Sequence, residues 1–336
     1  MTISTTSLPI LPGIHGNETF INFEFSFFTL PMFLLIFPVL YMPITFIVML
    51  RILVKLKYAM RDKNINVPLF TAISISQLTC VLFFIFDFVY IRLMTTGMFT
   101  SWCASVSPNH YLMVLYISTY YVNYANMIFP FLVSTMRLVL IAYPQRQEKI
   151  NRVILKSALP FILIYPMFFT FFMWPAVGYC VAAQGPFPHG SIIIGFRESW
   201  FGLKNNYFLL FNNLFWLSAS LINNSVLLVK LAHLKSTTAA HTRSQKSHKA
   251  EVSLTVTTVS MICSYLSNSM IVIAAQLGIE YSYYAIMLRP FGNDLETCMV
   301  SWVFYLTHPV FRRKSVAVVQ VSQHVRLNSP SKVVKF

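Results

Sequence analysis

Seven runs of apolar residues, each long enough to form a membrane-crossing helix, account for most of this sequence. A helix needs about 20 mostly apolar residues to cross the hydrocarbon core of a bilayer. The runs are continuous rather than alternating with a period of two, which argues against a transmembrane barrel. Only 10% of the residues are charged, too few to cover a water-soluble fold of 336 residues. We therefore predict an all-α bundle of seven transmembrane helices. The predicted spans, numbered first to seventh, are Phe27–Leu50, Val67–Leu93, His110–Ile141, Val153–Tyr179, Leu203–Leu231, Val252–Gln276 and Tyr281–Leu306.

The basic residues give this predicted bundle a direction. Of the 25 Lys and Arg residues, all but four fall in the first, third and fifth loops or in the C-terminal tail, and loops rich in Lys and Arg stay in the cytoplasm. The exceptions are Arg92, Arg197 and Lys204 on the opposite side, and Arg289 inside the seventh span. The pattern predicts an extracellular tail over residues 1–26, a membrane domain over 27–308 and a basic cytoplasmic tail over 309–336.

The net charge of +15 does not indicate a nucleic-acid partner. Nucleic-acid-binding proteins cluster their basic residues on one face of a soluble element. In this chain the basic residues form short blocks between apolar runs. That placement is typical of membrane topology and of contact with anionic lipid.

Three features fall on the predicted extracellular side. The N-terminus lacks the positive residues that begin a cleaved signal peptide, so we expect the first span to act as the signal anchor. Asn17-Glu18-Thr19 is an N-glycosylation sequence, which makes Asn17 a candidate glycosylation site. Cys103 precedes the third span and Cys180 follows the fourth, and disulfides persist outside the cell. We predict that these two cysteines form a disulfide; the alternative is two unpaired thiols.

Polar residues inside the spans share helical faces. The third span carries a stripe at steps of three or four, and its upper part, Tyr116, Tyr120 and Asn123, would line a cavity that opens outward. We regard these three residues as candidate ligand contacts. The alternative, which also applies to Asn212, Asn213, Asn223 and Asn224 of the fifth span, is that such residues form interhelical hydrogen bonds. The full stripe is Tyr116, Tyr120, Asn123, Met127, Pro130, Ser134 and Arg137.

Charged residues inside a membrane are costly and usually functional or paired. Asp87 lies about two-thirds of the way along the second span, and Arg289, Asp294 and Glu296 lie in the seventh. Because Asp87 is the available acid at the depth of Arg289, we predict a contact between them and include both as candidate ligand-binding residues. Asp294 would bind an ion or a water network. The alternative for all four residues is a structural role.

Two motifs resemble those of nematode serpentine chemoreceptors of the class-G superfamily, with class V as our first assignment. Ser134-Thr135-Met136-Arg137, followed by Ile141-Ala142-Tyr143-Pro144, looks like the end of their third helix, and the segment from Arg289 through Thr307-His308-Pro309 looks like their seventh-helix ending. The resemblance implies a G-protein-coupled receptor at the plasma membrane of a sensory neuron, including its cilia, with a small-molecule or peptide ligand outside and a heterotrimeric G protein inside.

The resemblance also implies a coupling role for Arg137, with Tyr143 and Pro144 in the following loop. Met136 stands where rhodopsin-like receptors carry an acid, the sixth span has no proline, and the seventh ends in Thr-His-Pro rather than Asn-Pro-x-x-Tyr. Activation details of rhodopsin-like receptors are therefore not transferred to this chain.

Other functional classes remain as alternatives. A seven-span ligand-gated cation channel would place the N-terminus inside the cell, so glycosylation of Asn17 would distinguish a receptor from such a channel. A transporter would move its substrate without a G protein. The chain has no His-Glu-x-x-His and no Gly-x-Ser-x-Gly motif, and His110 and His308 fall at opposite membrane faces. We therefore expect no enzymatic activity, no metal and no cofactor.

Overall fold

The computed structural model describes residues 13–59, 66–237, 260, 263–277, 279–307 and 311, which form a helical bundle with a small β-hairpin at one end. The long helices of this part are Leu30–Ala59, Val67–Asp87, His110–Asn126, Phe129–Ala142, Gln147–Ile164, Asn205–Thr237, Cys263–Leu277 and Ile279–Thr307. Shorter helical segments are Glu18–Ile21, Phe88–Leu93, Thr100–Ser105, Met167–Thr170, Phe171–Met173 and Trp200–Gly202. Strands β1 (Val177–Ala182) and β2 (Ile192–Arg197) form the hairpin. The predicted all-α bundle is confirmed, with the hairpin as an addition that the sequence analysis did not foresee.

Four helical segments of the described part have the length and hydropathy to cross a membrane: Leu30–Lys57, Val67–Leu93, His110–Ala142 and Gln147–Met173. Their outward faces carry large apolar side chains; in the first helix Leu40 is 64% exposed and Phe33 is 59% exposed. Such side chains would be unfavourable in water and are satisfied by hydrocarbon. The inner part of the predicted sixth span and the loop before it lie outside the described residues.

Capping residues determine where two of the span helices begin. Asn66 precedes the second span helix, and its side chain accepts a hydrogen bond from the backbone N–H of Leu69 over 3.1 Å. Asn109 does the same for the third span helix, with the N–H of Leu112 as the donor at 3.0 Å. An asparagine in this position satisfies one of the N–H groups that have no partner within the helix.

Three predicted spans differ from the helices observed. The first helix runs to Ala59, so Arg51, Lys55 and Lys57 lie on its last turns rather than in a loop. The third span is two helices that meet at Met127–Ile128, because Pro130 lacks the N–H that would continue the first of them. The fourth span was predicted to reach Tyr179, but its helical part ends at Met173 and strand β1 follows.

The hairpin closes one end of the bundle. Its strands are antiparallel, with Cys180 opposite Ile194, and a disulfide joins Cys180 to Cys103 as predicted. The hairpin lies tightly against the third helix at Gly178, where an added Cβ would come within 2.8 Å of the backbone nitrogen of Met113. Only glycine permits this approach.

An N-terminal segment packs on the hairpin as well. The backbone N–H of Ile14 donates to the carbonyl of Cys180 over 3.0 Å, and the N–H of Gly16 donates to that of Ala104 over 3.0 Å. Gly13 also pairs with Val181 in an antiparallel bridge. We call residues 13–23 together with 177–197 the hairpin cap. Residues 13–26, predicted as a simple tail, are therefore in part a component of the folded domain.

Candidate functional site

A cavity of about 560 Å³ lies between the hairpin cap and the ends of the second, third, fifth and seventh span helices. Its volume falls in the range typical of small-molecule sites. Three of the five predicted ligand-binding residues, Tyr116, Tyr120 and Arg289, line this cavity. Strand β2 and the segment that follows it, up to Asn206, form the other side.

Aromatic side chains form one wall of the cavity. The rings of Tyr116 and Tyr120 have centroids 4.7 Å apart, and Tyr90 meets Tyr116 edge-on at 5.3 Å. Phe196 of strand β2 also packs edge-on against Tyr116, at 5.0 Å. Edge-to-face packing of this kind fixes the orientation of each ring. The wall is therefore a rigid, largely apolar surface.

A cluster of charged and polar residues is joined to the cavity through Arg289. This ionic cluster consists of Tyr41, Asp87, Arg92, Arg289 and Asp294, from the first, second and seventh span helices. Arg289 is 1% exposed and donates from Nη2 to Oδ1 of Asp87, so the predicted contact between these two residues is confirmed. Asp294 accepts from Nη2 of Arg92 at 2.7 Å and from the hydroxyl of Tyr41.

Arg92 was assigned to the extracellular side, at the end of the second span, and its buried pairing was not predicted. Its side chain is 7% exposed and lies inside the bundle. It also donates to the carbonyl of Pro290 over 3.0 Å, and its guanidinium carbon lies 5.2 Å from the centroid of the Phe84 ring. Nε of Arg92 lies 3.9 Å from Oδ2 of Asp87, so this carboxylate stands between two arginines.

A π-helical segment, Phe88–Leu93, explains how Asp87 and Arg92 come together. Five residues of an α-helix rotate by about 140° beyond one full turn, which would direct the two side chains to different faces. In a π-helix the hydrogen bonds link residue i to i+5, so residues five apart are neighbours on one face. The local backbone geometry therefore brings Arg92 towards Asp87 and the seventh span helix.

Two other residues predicted to contact ligand are buried away from the cavity surface. Asn123 is 3% exposed and accepts a hydrogen bond from Asn268 of the sixth span helix over 3.4 Å. Asp87 is 1% exposed and does not line the cavity, but it is bonded to Arg289, which does. Asp294, predicted to bind an ion or a water network, is paired with Arg92.

The opposite end of the bundle holds the residues that the resemblance linked to coupling. Arg137 is 3% exposed, whereas Tyr143, which ends the same helix, is 59% exposed and Pro144 is also exposed. One turn above Arg137, the side-chain amide of Asn223 donates to the hydroxyls of Ser134 and Thr135, each over 2.8 Å. This contact is an interhelical hydrogen bond of the kind considered in the sequence analysis, and it joins the third and fifth span helices.

The helical bundle, with four described segments long and apolar enough to cross a membrane, is that of a multi-pass membrane protein. Residues 14–314 match the family model described as "Serpentine type 7TM GPCR chemoreceptor Sru". The chain is also 58% identical, over 260 residues, to "Serpentine receptor class U-26" of Caenorhabditis elegans; the alignment covers 77% of this chain and 90% of that protein. The chain therefore belongs to the class U family of serpentine chemoreceptors.

These comparisons confirm the resemblance to nematode serpentine chemoreceptors. The class is U, where the motifs had suggested V. The family is one of membrane receptors rather than of enzymes.

Proposed function

We propose that this protein is a chemosensory receptor of the plasma membrane that binds a small extracellular ligand in the capped cavity and activates a heterotrimeric G protein. The observation that supports this most directly is the cavity itself. It has the volume of a small-molecule site, its aromatic wall includes Tyr116 and Tyr120, and it contains one buried charged residue, Arg289.

Arg289 offers a physical route from the cavity to the rest of the bundle. It lines the cavity and is hydrogen-bonded to Asp87, which lies 3.9 Å from Arg92. Arg92 in turn is bonded to Asp294 and to the backbone of the seventh span helix. A ligand that contacts Arg289 would change the balance of charge in a cluster shared by three helices. A ligand shifts a conformational equilibrium when it binds one state more tightly than the other.

Coupling at the opposite end requires the helices to separate. Arg137 is buried in the present arrangement, and the exposed Tyr143 and Pro144 lie beside it in the chain. Separation of the third and fifth span helices, which Asn223 now joins, would expose Arg137 to a G protein. The ligand-bound state is then the one in which this end is open.

Replacement of Arg137 by glutamine should abolish signalling and leave ligand binding in place. Glutamine keeps much of the side-chain volume in a site that is 3% exposed, but it removes the charge offered to the G protein. The measurement is G-protein reporter activity in cells challenged with a broad odorant panel, normalised to surface expression. A loss of at least about tenfold in the maximal response is expected, because the G protein loses the charged group that it would contact.

The matched control is Arg146→Gln, which removes an exposed arginine at the start of the next helix. This variant should signal normally. A full response from Arg137→Gln at equal surface level would contradict the proposed coupling role. Substrate uptake or ion current that persists in cells without G proteins would favour the transporter or channel alternative.

Asn17 should carry an N-linked glycan if the N-terminus is extracellular. Its side chain is exposed and accepts a hydrogen bond from the N–H of Thr19, in the short helix that packs near Thr100–Ser105. The measurement is the electrophoretic mobility of receptor from a glycosylation-competent cell before and after glycosidase treatment. Asn17→Gln is the control that should remove the shift, and an unshifted wild-type receptor would favour the channel topology.

A further inference from the structure

The cavity wall contains two deeply buried nitrogen donors whose hydrogen-bonding capacity is only partly used. Asn205 is 1% exposed; its Oδ1 accepts from the hydroxyl of Tyr124 over 2.7 Å, and its Nδ2 has no hydrogen-bond partner within the described part of the chain. Arg289 donates from Nη2 to Asp87, and its Nε likewise has no partner among the described residues. Both residues line the cavity. Buried donors without partners are uncommon and cost free energy, so they indicate a missing acceptor.

Both of these unpaired nitrogens are hydrogen-bond donors, and this indicates what kind of group would satisfy them. Among the described residues that line the cavity, no buried side-chain acceptor lacks a hydrogen-bond partner. Water can supply either a donor or an acceptor and would not require this bias. An occupant that presents only acceptors, such as a carboxylate, matches it.

The charges around the cavity favour the same occupant. Its lining includes the cations Arg197, Lys204 and Arg289 and one acid, Glu198. Arg197 lies 3.8 Å from Glu198, and Arg289 is paired with Asp87, while Lys204 at the rim has no ion pair within the described ranges. A cleft of net positive charge raises the local concentration of anions. The guanidinium of Arg289 can bind a second carboxylate because it carries five N–H donors in a planar fork.

We propose that the ligand of this cavity is a small organic anion, a carboxylate with an aromatic or otherwise apolar body. Its oxygen acceptors meet Nε of Arg289 and Nδ2 of Asn205, which turn towards the cavity on binding because neither nitrogen has accessible surface in the present arrangement. Its body packs on the wall formed by Tyr90, Tyr116 and Tyr120. This inference rests on the proposed function, since it names the chemical class of ligand for the same site. It also explains why an arginine already paired with Asp87 is kept at the surface of a mainly aromatic cavity.

The variant that tests this proposal is Asn205→Asp. Aspartate keeps the oxygen that accepts from Tyr124 and replaces the donor Nδ2 by an anionic oxygen. Asn205 is the first residue of its helix, where the helix dipole offsets part of the cost of a buried negative charge, and the unfolding midpoint without any probe shows whether the variant is folded. The matched control is Asn109→Asp, which adds the same charge at the same end of the bundle, at a capping position outside the cavity.

The probes are two matched pairs, benzoate with benzamide and indole-3-acetate with indole-3-acetamide. The purified full-length receptor is placed in lipid nanodiscs, and its thermal unfolding midpoint is followed as each probe is titrated to millimolar concentration. Each acid should raise the midpoint more than its amide, because a ligand bound to the folded state stabilises it. Asn205→Asp should weaken the apparent affinity for the acids at least about tenfold, whereas Asn109→Asp should leave it unchanged.

Three results would overturn the proposal: equal shifts with acid and amide, no shift with either acid, or an undiminished acid-dependent shift in Asn205→Asp. The binding measurement contains no G protein, so it is independent of the proposed coupling. Acids that bind without any reporter response would leave the ligand class standing and count against the signalling role. A reporter response to neutral or cationic odorants alone would support the signalling role and count against the proposed ligand class.

Discussion

Replacement of Asp87 by asparagine is expected to destabilise the folded receptor by roughly 3–5 kcal/mol, the range for breaking a buried ion pair from one side. Asp87 is 1% exposed and contacts two arginines, Arg289 through a hydrogen bond and Arg92 at 3.9 Å. Without this charge, Arg289 loses the carboxylate to which it is bonded, and Arg92 keeps its pairing with Asp294. The measurements are surface expression and the thermal unfolding midpoint of purified receptor.

Two controls separate this effect from a general loss of charge. Glu148→Gln breaks an ion pair of 2.7 Å between side chains that are 57% and 61% exposed, and it should change stability by less than about 1 kcal/mol. The double variant Asp87→Asn with Arg289→Gln removes both buried partners and should recover part of the loss. Two neutral substitutions are preferable to exchanging the two residues, because the exchange would place an arginine at position 87, beside Arg92. If Asp87→Asn is as stable as wild type, the ionic cluster does not support the bundle.

Loss of the disulfide should have the next largest effect, because it cross-links the hairpin cap to the segment before the third span helix. Cys103 and Cys180 are 77 residues apart in the chain. A bridge across a loop of that length is worth roughly 4.5 kcal/mol when the unfolded chain is fully free. Membrane insertion already restricts the intervening helices, so we expect Cys180→Ser to cost about 2–4 kcal/mol. Response to ligand should be lost at the same time, since strand β2 forms part of the cavity wall.

The test compares Cys103→Ser, Cys180→Ser and the double variant. All three should show the same lowered unfolding midpoint and the same loss of response, because each removes the same bridge. Cys80→Ser serves as the control, since Cys80 is a buried free cysteine elsewhere in the second span helix. A double variant with normal stability and response would show that backbone pairing alone holds the hairpin cap.

The features that the sequence predicted correctly depend on composition over long windows or on depth in the membrane. The span helices follow from runs of apolar residues, and the contact between Asp87 and Arg289 follows from their similar depth. The pairing of Cys103 with Cys180 follows from both cysteines falling at one end of the bundle. Each of these properties tolerates an error of a few residues in a helix boundary.

The features that were missed depend on local backbone geometry. The pairing of Arg92 with Asp294 requires the π-helical segment, and an α-helical period directs Arg92 to another face. The hairpin was not predicted because β1 continues an apolar run, and such a run is equally consistent with the end of a transmembrane helix. Asn205 was also missed, although it follows Lys204 at the start of the fifth span, because nothing in its neighbours indicates a cavity.

The N-terminal segment of the hairpin cap has a consequence for how the receptor is made. Gly13, Ile14 and Gly16 are synthesised before the first span, yet their hydrogen-bond partners at Ala104, Cys180 and Val181 are synthesised only after the second and fourth spans. Contacts between residues so distant in sequence form late in folding. These residues therefore remain without their hydrogen-bond partners until most of the bundle has been synthesised. A bulky fusion at the N-terminus should therefore impair the late pairing of this segment with the hairpin, rather than insertion of the first helix.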